Sequence, residues 1–290
     1  MTAFLALATS LLLIAAVLLA WRGLDVRADQ ALARELTARA GPAGPPFSLD
    51  LVAGLPEPAR RFFAFAIEPG TPLATVVELE MRGEMGLGTK DEPRYQPMQA
   101  TQVLAPPHGL VWRLRTQLFR GSDGAGPATS WTRFWLGGLV PVVRAAGPDH
   151  HRSAFGRVIA EGAFWVPASL LPGEHVRWEP VDENRARAIV SYGDFVQDVE
   201  LTVRPDGQPE RVVIQRWSNA NPEQQYREQP FGGELGDFRQ VGGYRLPFRV
   251  EGGNLIGTPD YFPFFKADIE AIRLPQLDAV PEPGSGGDLT

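Results

Sequence analysis

Hydrophobic and polar positions divide the chain into three patterns. From Phe4 to Ala20 every side chain is apolar except Thr9 and Ser10. Counted from Ala3 to Trp21, this is about 19 residues, or roughly 28 Å of helix, enough to cross a hydrocarbon core. Trp21 stands where an interfacial aromatic belongs. A cleaved signal peptide would need a basic start and a small-residue cleavage site soon after the apolar run. Met1-Thr2-Ala3 has no basic side chain, and the first Ala-x-Ala beyond the run, Ala31-Leu32-Ala33, lies in a charged stretch. The expectation is an uncleaved transmembrane helix, with residues 3–21 in the bilayer.

The second pattern has helical spacing. Leu24, Ala28, Leu32 and Leu36 recur at i+4, and Glu35–Arg39 is a favourable i,i+4 pair. Gly41-Pro42-Ala43-Gly44-Pro45-Pro46 cannot be helical and reads as a stiff linker. The expected division is an anchor at 1–21, a juxtamembrane helix and linker at 22–46, a β-rich domain at 47–276 and a disordered tail at 277–290.

The third pattern fills that domain. Ala59 to Ile67 supports two helical turns behind Pro56 and Pro58. Alternation then takes over. Val77, Leu79 and Met81 face away from Glu78, Glu80 and Arg82; Trp112, Leu114 and Thr116 face away from Arg113, Arg115 and Gln117. Further strands are expected at 99–105, 176–181, 186–192, 195–204, 210–217, 226–229, 237–241, 244–251 and 264–272. Pro106-Pro107-His108-Gly109, Pro205-Asp206-Gly207-Gln208 and Gly242-Gly243 supply turns. The main interruption, Ser153 to Leu171, carries Phe155, Val158, Ile159 and Ala163 at helical spacing, with Ser153 as its cap and Pro167 at its end. The fold class is therefore mainly β (α+β): a curved antiparallel sheet or half-barrel with a helix on its concave face, plus the N-terminal transmembrane helix.

Composition narrows the chemistry. The 290 residues carry 34 acids, 28 bases and no cysteine. Thiolate metal sites, disulfides and cysteine nucleophiles are excluded. An acidic balance without a basic block argues against nucleic-acid binding. There is no G-x-S-x-G, H-E-x-x-H or phosphate-binding loop. Asp149-His150-His151 is the only histidine cluster. It lacks an evident third ligand and reads as a solvated loop before the helix, and His108 and His175 read as surface residues; no metal or cofactor is expected. Arg157, Glu161 and Trp165 form one stripe on the main helix. They suit either an ion pair locking helix to sheet or a polar anchor in an apolar cavity. Phe134 to Val143, without charge, reads as buried strand and turn, or as an apolar lip at a cavity mouth or the bilayer. Tyr261 to Phe265 reads as core.

Several residues together resemble a known family. They are Leu55-Pro56 with Arg60, Gly83, Ala100, Gln102, Arg157…Glu161…Trp165-x-Pro167, Leu170-Leu171-Pro172, Trp178, Arg216, Gly243-Tyr244 and Pro247. The chain resembles a family of uncharacterised bacterial proteins with one N-terminal membrane segment and a β-rich domain of unknown function. The resemblance spans roughly 52–273 and is most specific from Arg157 to Pro172. Tyr95 stands where a tryptophan is expected, and the loop from Phe119 to Arg133 is shortened. The architecture implied is similar to the lipoprotein-carrier half-barrel of the LolA/LolB type, whose members hold acyl chains in envelope compartments.

The leading functional expectation is a non-enzymatic, membrane-tethered module for a lipid or other apolar ligand. Its candidate binding residues are Arg157, Glu161, Trp165, Trp112, Trp135, Arg216 and Tyr244. One alternative is an assembly partner at the inner membrane with a filled core. Another is an enzyme using Glu161 with a histidine as acid and base. Arg22 and Arg27 after the anchor favour a cytoplasmic domain, whereas the carrier-like fold favours the periplasm; the expectation is periplasmic.

Overall fold

A computed structural model of the protein describes residues 1–42 and 44–278. The chain begins with one unbroken helix, α1 (Thr2–Ala38). Its apolar half is long enough to cross a membrane, and none of that apolar window is buried in the molecule. The tail expected at 277–290 lies outside the described residues from 279 onward. The two residues before that belong to a last short helix.

The body has a short 3-10 turn (Leu49–Val52), α2 (Glu57–Ala66), α3 (Pro148–Trp165), a second 3-10 turn (Pro167–Leu170) and α4 (Pro275–Asp278). Six strands precede α3: β1 (Val77–Gly86), β2 (Tyr95–Ala105), β3 (Gly109–Thr116), β4 (Phe119–Ala125), β5 (Ser130–Leu136) and β6 (Val140–Ala145). Seven follow it: β7 (Val176–Pro180), β8 (Arg185–Tyr192), β9 (Phe195–Val203), β10 (Pro209–Ser218), β11 (Arg227–Val241), β12 (Tyr244–Asn254) and β13 (Phe262–Arg273). All join one antiparallel sheet in the order β6-β5-β4-β3-β2-β1-β13-β12-β11-β10-β9-β8-β7. The edges β6 and β7 do not pair, so the sheet stays open. It curls around α3, which touches β9, β10 and β12 on one side and β2 to β5 on the other. The expected architecture is the observed one.

Details differ from expectation where glycine or proline masked a strand. The loop expected from Phe119 to Arg133 is the β4–β5 hairpin. Gly121 and Gly124 sit under the Phe134 and Trp131 rings, and a Cβ on Gly124 would lie 2.3 Å from the indole. Residues 226–229 and 237–241 belong almost entirely to the single long β11, continuous through Pro230, Gly232 and Gly236. The charge-free run from Phe134 to Val143 is the end of β5, a turn at Gly137-Gly138 with φ of 57° and 73°, and the start of β6. Val140, Val142 and Val143 in it are exposed rather than core.

Helix α3 starts earlier than expected. Pro148 occupies its first turn, where a missing N–H costs nothing. Asp149-His150-His151 is therefore helical rather than a loop. Ser153 lies inside the helix, and its hydroxyl accepts from Arg216 instead of capping. His175 is exposed, but His108 is half-buried, with Nδ1 3.0 Å from the Tyr192 hydroxyl.

Two cores form. The larger fills the concave side, where α2 supplies Phe62, Phe63 and Ala66. The smaller lies on the convex side, where Leu32, Ala33 and Leu36 of α1 meet Val76, Val103, Ala105, Val111 and Trp131. Of the i+4 run, Leu32 and Leu36 are buried, but nearer the anchor Asp25 and Asp29 take the buried face and Leu24 is exposed. The convex side selects that helix face by presenting arginines and indole N–H groups that need carboxylates. Asp25 accepts from Arg144 at 2.7 and 2.9 Å and from the Trp135 indole at 3.0 Å, and pairs with Arg133 at 3.4 Å. Burial pushes its carboxyl up, but Arg144 and Arg133 outweigh burial and hold it below the ordinary value. Asp29 accepts from Ser122 and Trp131 at 2.8 and 3.1 Å; burial dominates there and raises its pKa.

Removing one partner of such a pair leaves the other charges unpaired, at a cost of about 3 kcal/mol. Asp25→Ala should lose that much stability, read by denaturant titration of the full chain in detergent through tryptophan fluorescence. The wild-type contribution has the sign of a depressed carboxylate. It is present above the ordinary Asp value of about 3.9 and disappears as pH falls through the lower folded value.

Candidate functional site: a cavity beneath the curved sheet

The concave trough is wider than α3. Beside the helix the sheet leaves a cavity of about 450 Å³, within the size range of small-molecule sites, about 300–1,000 Å³. Its walls are largely apolar, with Met85, Phe134, Phe231, Val250, Phe264 and Phe265 among them. The Tyr261–Phe265 cluster is therefore partly wall rather than core. A hollow of about 580 Å³ lies on the convex face beside α1, but Arg34, Glu78, Glu80, Arg113 and Arg273 line it as an open charged groove. The concave cavity is the better ligand site, because it offers apolar area together with a few converging polar groups.

Five of the seven expected site residues meet in this cavity: Arg157, Glu161 and Trp165 from α3, Trp112 from β3 and Arg216 from β10. Alternation explains Trp112, which shares the concave face with Leu114 while Arg113 and Arg115 face outward. The other two lie elsewhere. Trp135 is on the convex face, hydrogen-bonded to Asp25 and edge-on to Trp21 at 5.6 Å. Tyr244 is sealed at the far end of the trough, where its hydroxyl donates to the Pro72 carbonyl and accepts from the Ala74 N–H. Burial pushes its phenol up to about 12. It closes the fold there and does not reach the cavity.

The polar groups fall into two sets. The first is internally satisfied. Arg157 donates to Glu161 at 2.6 Å and to Asp123 of β4 at 2.7 Å, and Gln102 donates to the other oxygen of Glu161 at 2.5 Å. Burial opposes the Arg157 charge, but Glu161 and Asp123 outweigh it and hold the guanidinium above its ordinary value. Asp123 also accepts from Thr132, whose hydroxyl meets Nε2 of His150; Nδ1 of His150 meets Ser130 at 2.7 Å. Burial lowers the His150 pKa. Among the described residues no hydrogen bond joins Glu161 to His150 or His151, so the acid–base pairing of the enzyme reading is not assembled.

The second set is unfilled. Arg216 donates through Nε to the Ser153 carbonyl and hydroxyl, both at 3.1 Å, and stacks over Phe231 at 4.5 Å. Its terminal nitrogens have no protein acceptor, and it joins no ion pair among the described residues. Burial, with Arg157 nearby, lowers its pKa to about 10. The Trp112 indole N–H is likewise buried without an acceptor. An oxygen-rich group in the cavity would meet both donors.

Sequence reasoning missed Asp123, Thr132 and Phe231 as parts of this site, and offered Phe134 only as the start of an apolar lip. The inward alternation of Thr132 and Phe134 within Ser130–Leu136 was the available signal. Nothing local marks Asp123, whose role depends on pairing across the trough.

Residues 45–267 match the family of unknown function DUF6544. The chain belongs to that family. No curated protein matches it. Two solved structures are similar at low identity. A LolA superfamily protein from Nitrosomonas europaea is 11% identical, with a TM-score of 0.36 over 74% of this chain and 93% of its own. A putative outer membrane lipoprotein-sorting protein domain from Vibrio parahaemolyticus is 10% identical, with a TM-score of 0.38 over 81% and 94%.

The first polar set predicts a characteristic mutational pattern. Arg157→Met alone strands two carboxylates and should cost about 3–5 kcal/mol. Adding Asp123→Asn and Glu161→Gln should recover most of that loss, because no charge then remains unpaired. Denaturant titration of the single and triple variants checks the difference.

Proposed function

We propose that this DUF6544 protein is a membrane-tethered, non-enzymatic module that holds an amphiphile bearing an acidic or phosphate-like headgroup. The observation that carries the reading is Arg216: a half-buried guanidinium, in no ion pair among the described residues, at the wall of an apolar cavity. Leaving an arginine unpaired in such a site is costly, and an anionic headgroup repays that cost with charge-assisted hydrogen bonds. Trp112 supplies a further donor. Arg157 and Glu161, which the sequence also offered as headgroup ligands, are assigned to the lock between α3 and the sheet. The hollow beside α3 favours this reading over a scaffold with a filled core.

The anchor reading rests on the apolar run of α1 and on its exposure outside the body. The proposed location is the bacterial inner membrane, with the β-rich domain in the periplasm. The proposed organisation is an anchor at 1–21, juxtamembrane helix and linker at 22–46, and the ligand-holding domain at 47–276.

Native mass spectrometry of the full chain, extracted from bacterial membranes in mild detergent, should show a co-purifying anionic amphiphile. Arg216→Gln should reduce its occupancy about tenfold or more, the worth of a charged hydrogen bond. Recovery of empty wild-type protein overturns the reading. Fusion of a periplasm-active reporter at Thr290 should give signal, and a cytoplasm-active reporter there should not.

A further inference from the structure

The two ends of the half-barrel differ. At one end Tyr244, α2 and Ile67 fill the trough, and Ile67 bridges to Tyr244 through the backbone. At the other end the helix contact among the described residues is the N-terminus of α3 on β10 and β11, where Asp149 accepts from Trp217 and Arg152 pairs with Glu228, and the ends of β1, β2 and β13 stay uncovered. Strand register puts Met85, Phe265, Leu136 and Phe119 at that uncovered end, and Met85, Phe231, Asn254 and Phe264 bring the cavity wall up to it.

Helix α1 fixes which end meets the membrane. It runs along the convex face from the uncovered end to the filled one. Arg22 donates to the Gly138 carbonyl at 2.8 Å, at the tip of the β5–β6 hairpin. Asp25 binds one turn deeper, Asp29 deeper still, and Leu36 is fully buried beside Val76 and Ala105 at the filled end. The apolar run from Phe4 to Trp21 therefore leaves the body at the open mouth of the half-barrel, the end to which Met85, Phe231 and Phe264 bring the cavity wall. The helix cannot swivel freely there, since Arg144 stacks on Trp21 at 4.6 Å while binding Asp25.

The surface at that mouth suits a bilayer. Leu118, Leu136, Val140, Val142 and Val143 are 40–49% exposed and adjoin one another through the hairpin, with the Gly137 N–H donating to the Leu118 carbonyl. An apolar, unpaired edge strand is a liability in water. Around it stand Arg22, Arg115 and Arg120, none in an ion pair among the described residues, a distribution that attracts anionic headgroups. The free backbone edge of β6 limits the depth. Its N–H groups need water or headgroups, so the rim belongs in the interfacial region and not in the hydrocarbon.

We propose that the uncovered end of the half-barrel rests on the bilayer from which α1 emerges, with this apolar rim in the headgroup layer, so that the cavity exchanges amphiphiles directly with that leaflet. The proposal rests on the reading of α1 as an anchor and is separable from the role given to Arg216.

The absence of native cysteine allows a clean test. Leu136→Cys, Val142→Cys and, at the filled end, Asp206→Cys are each labelled with an environment-sensitive fluorophore. The full-length chains are reconstituted in nanodiscs of phosphatidylcholine with phosphatidylglycerol. Nitroxide lipids labelled at the headgroup should quench positions 136 and 142 several-fold more than 206, and more than mid-chain nitroxides do. Equal quenching at all three positions overturns the proposal. A chain that does not enter the nanodisc overturns the anchor reading and the docking with it. A quenched rim together with unchanged ligand occupancy in Arg216→Gln overturns the headgroup assignment and leaves the docking standing.

Discussion

Arg157 is the interaction on which the concave side depends. It sits mid-helix on α3 and reaches Asp123 on β4, while its Nε stays with Glu161 one turn on. Three half-buried charges in one place would be costly singly. Together, with Gln102 and Thr132 completing the carboxylates, they are satisfied. The result is a helix held against the β2–β5 wall. On its other side Gly156 permits a close approach to β9 and β10: a Cβ there would meet the Gln197 amide oxygen at 2.7 Å. A helix pinned at both flanks cannot sink to fill the trough, and the space left beside it is the cavity.

The same sheet serves two purposes because β-strand alternation sends neighbours to opposite faces. In β5, Thr132 and Phe134 face the cavity, while Trp131, Arg133 and Trp135 face α1. A carboxylate pair on the helix, Asp25 and Asp29, answers the donors on the convex face. The helix that carries the apolar run and the wall of the cavity are thus joined through single strands. This gives the β4–β6 region mechanical as well as chemical importance.

Much of the architecture was legible in advance. Val77–Met81 and Trp112–Thr116 alternate cleanly because one face is buried and the other solvated, and Phe155, Val158 and Ile159 keep helical spacing because α3 buries one side. Legibility failed where tertiary contact replaced local propensity. Gly121 and Gly124 hide a strand because aromatic rings occupy the space their side chains would take. Pro230 and Gly232 hide the continuity of β11. On α1 the apolar spacing holds at Leu32 and Leu36 and fails at Leu24, since buried carboxylates look like solvent-facing residues until their arginine partners are known.

The sequence by itself determined the apolar anchor-like run, the open antiparallel sheet with a helix inside it, and the absence of thiol chemistry. Each is written in local periodicity or in composition. Only the tertiary structure decided that Arg157 is held by two carboxylates while Arg216 joins no ion pair among the described residues, that Trp135 and Tyr244 belong to other parts of the molecule, and that the apolar helix leaves the body at the end of the sheet away from Tyr244. These depend on which side chains meet across the curl of the sheet, often more than a hundred residues apart, and no local pattern encodes such a meeting.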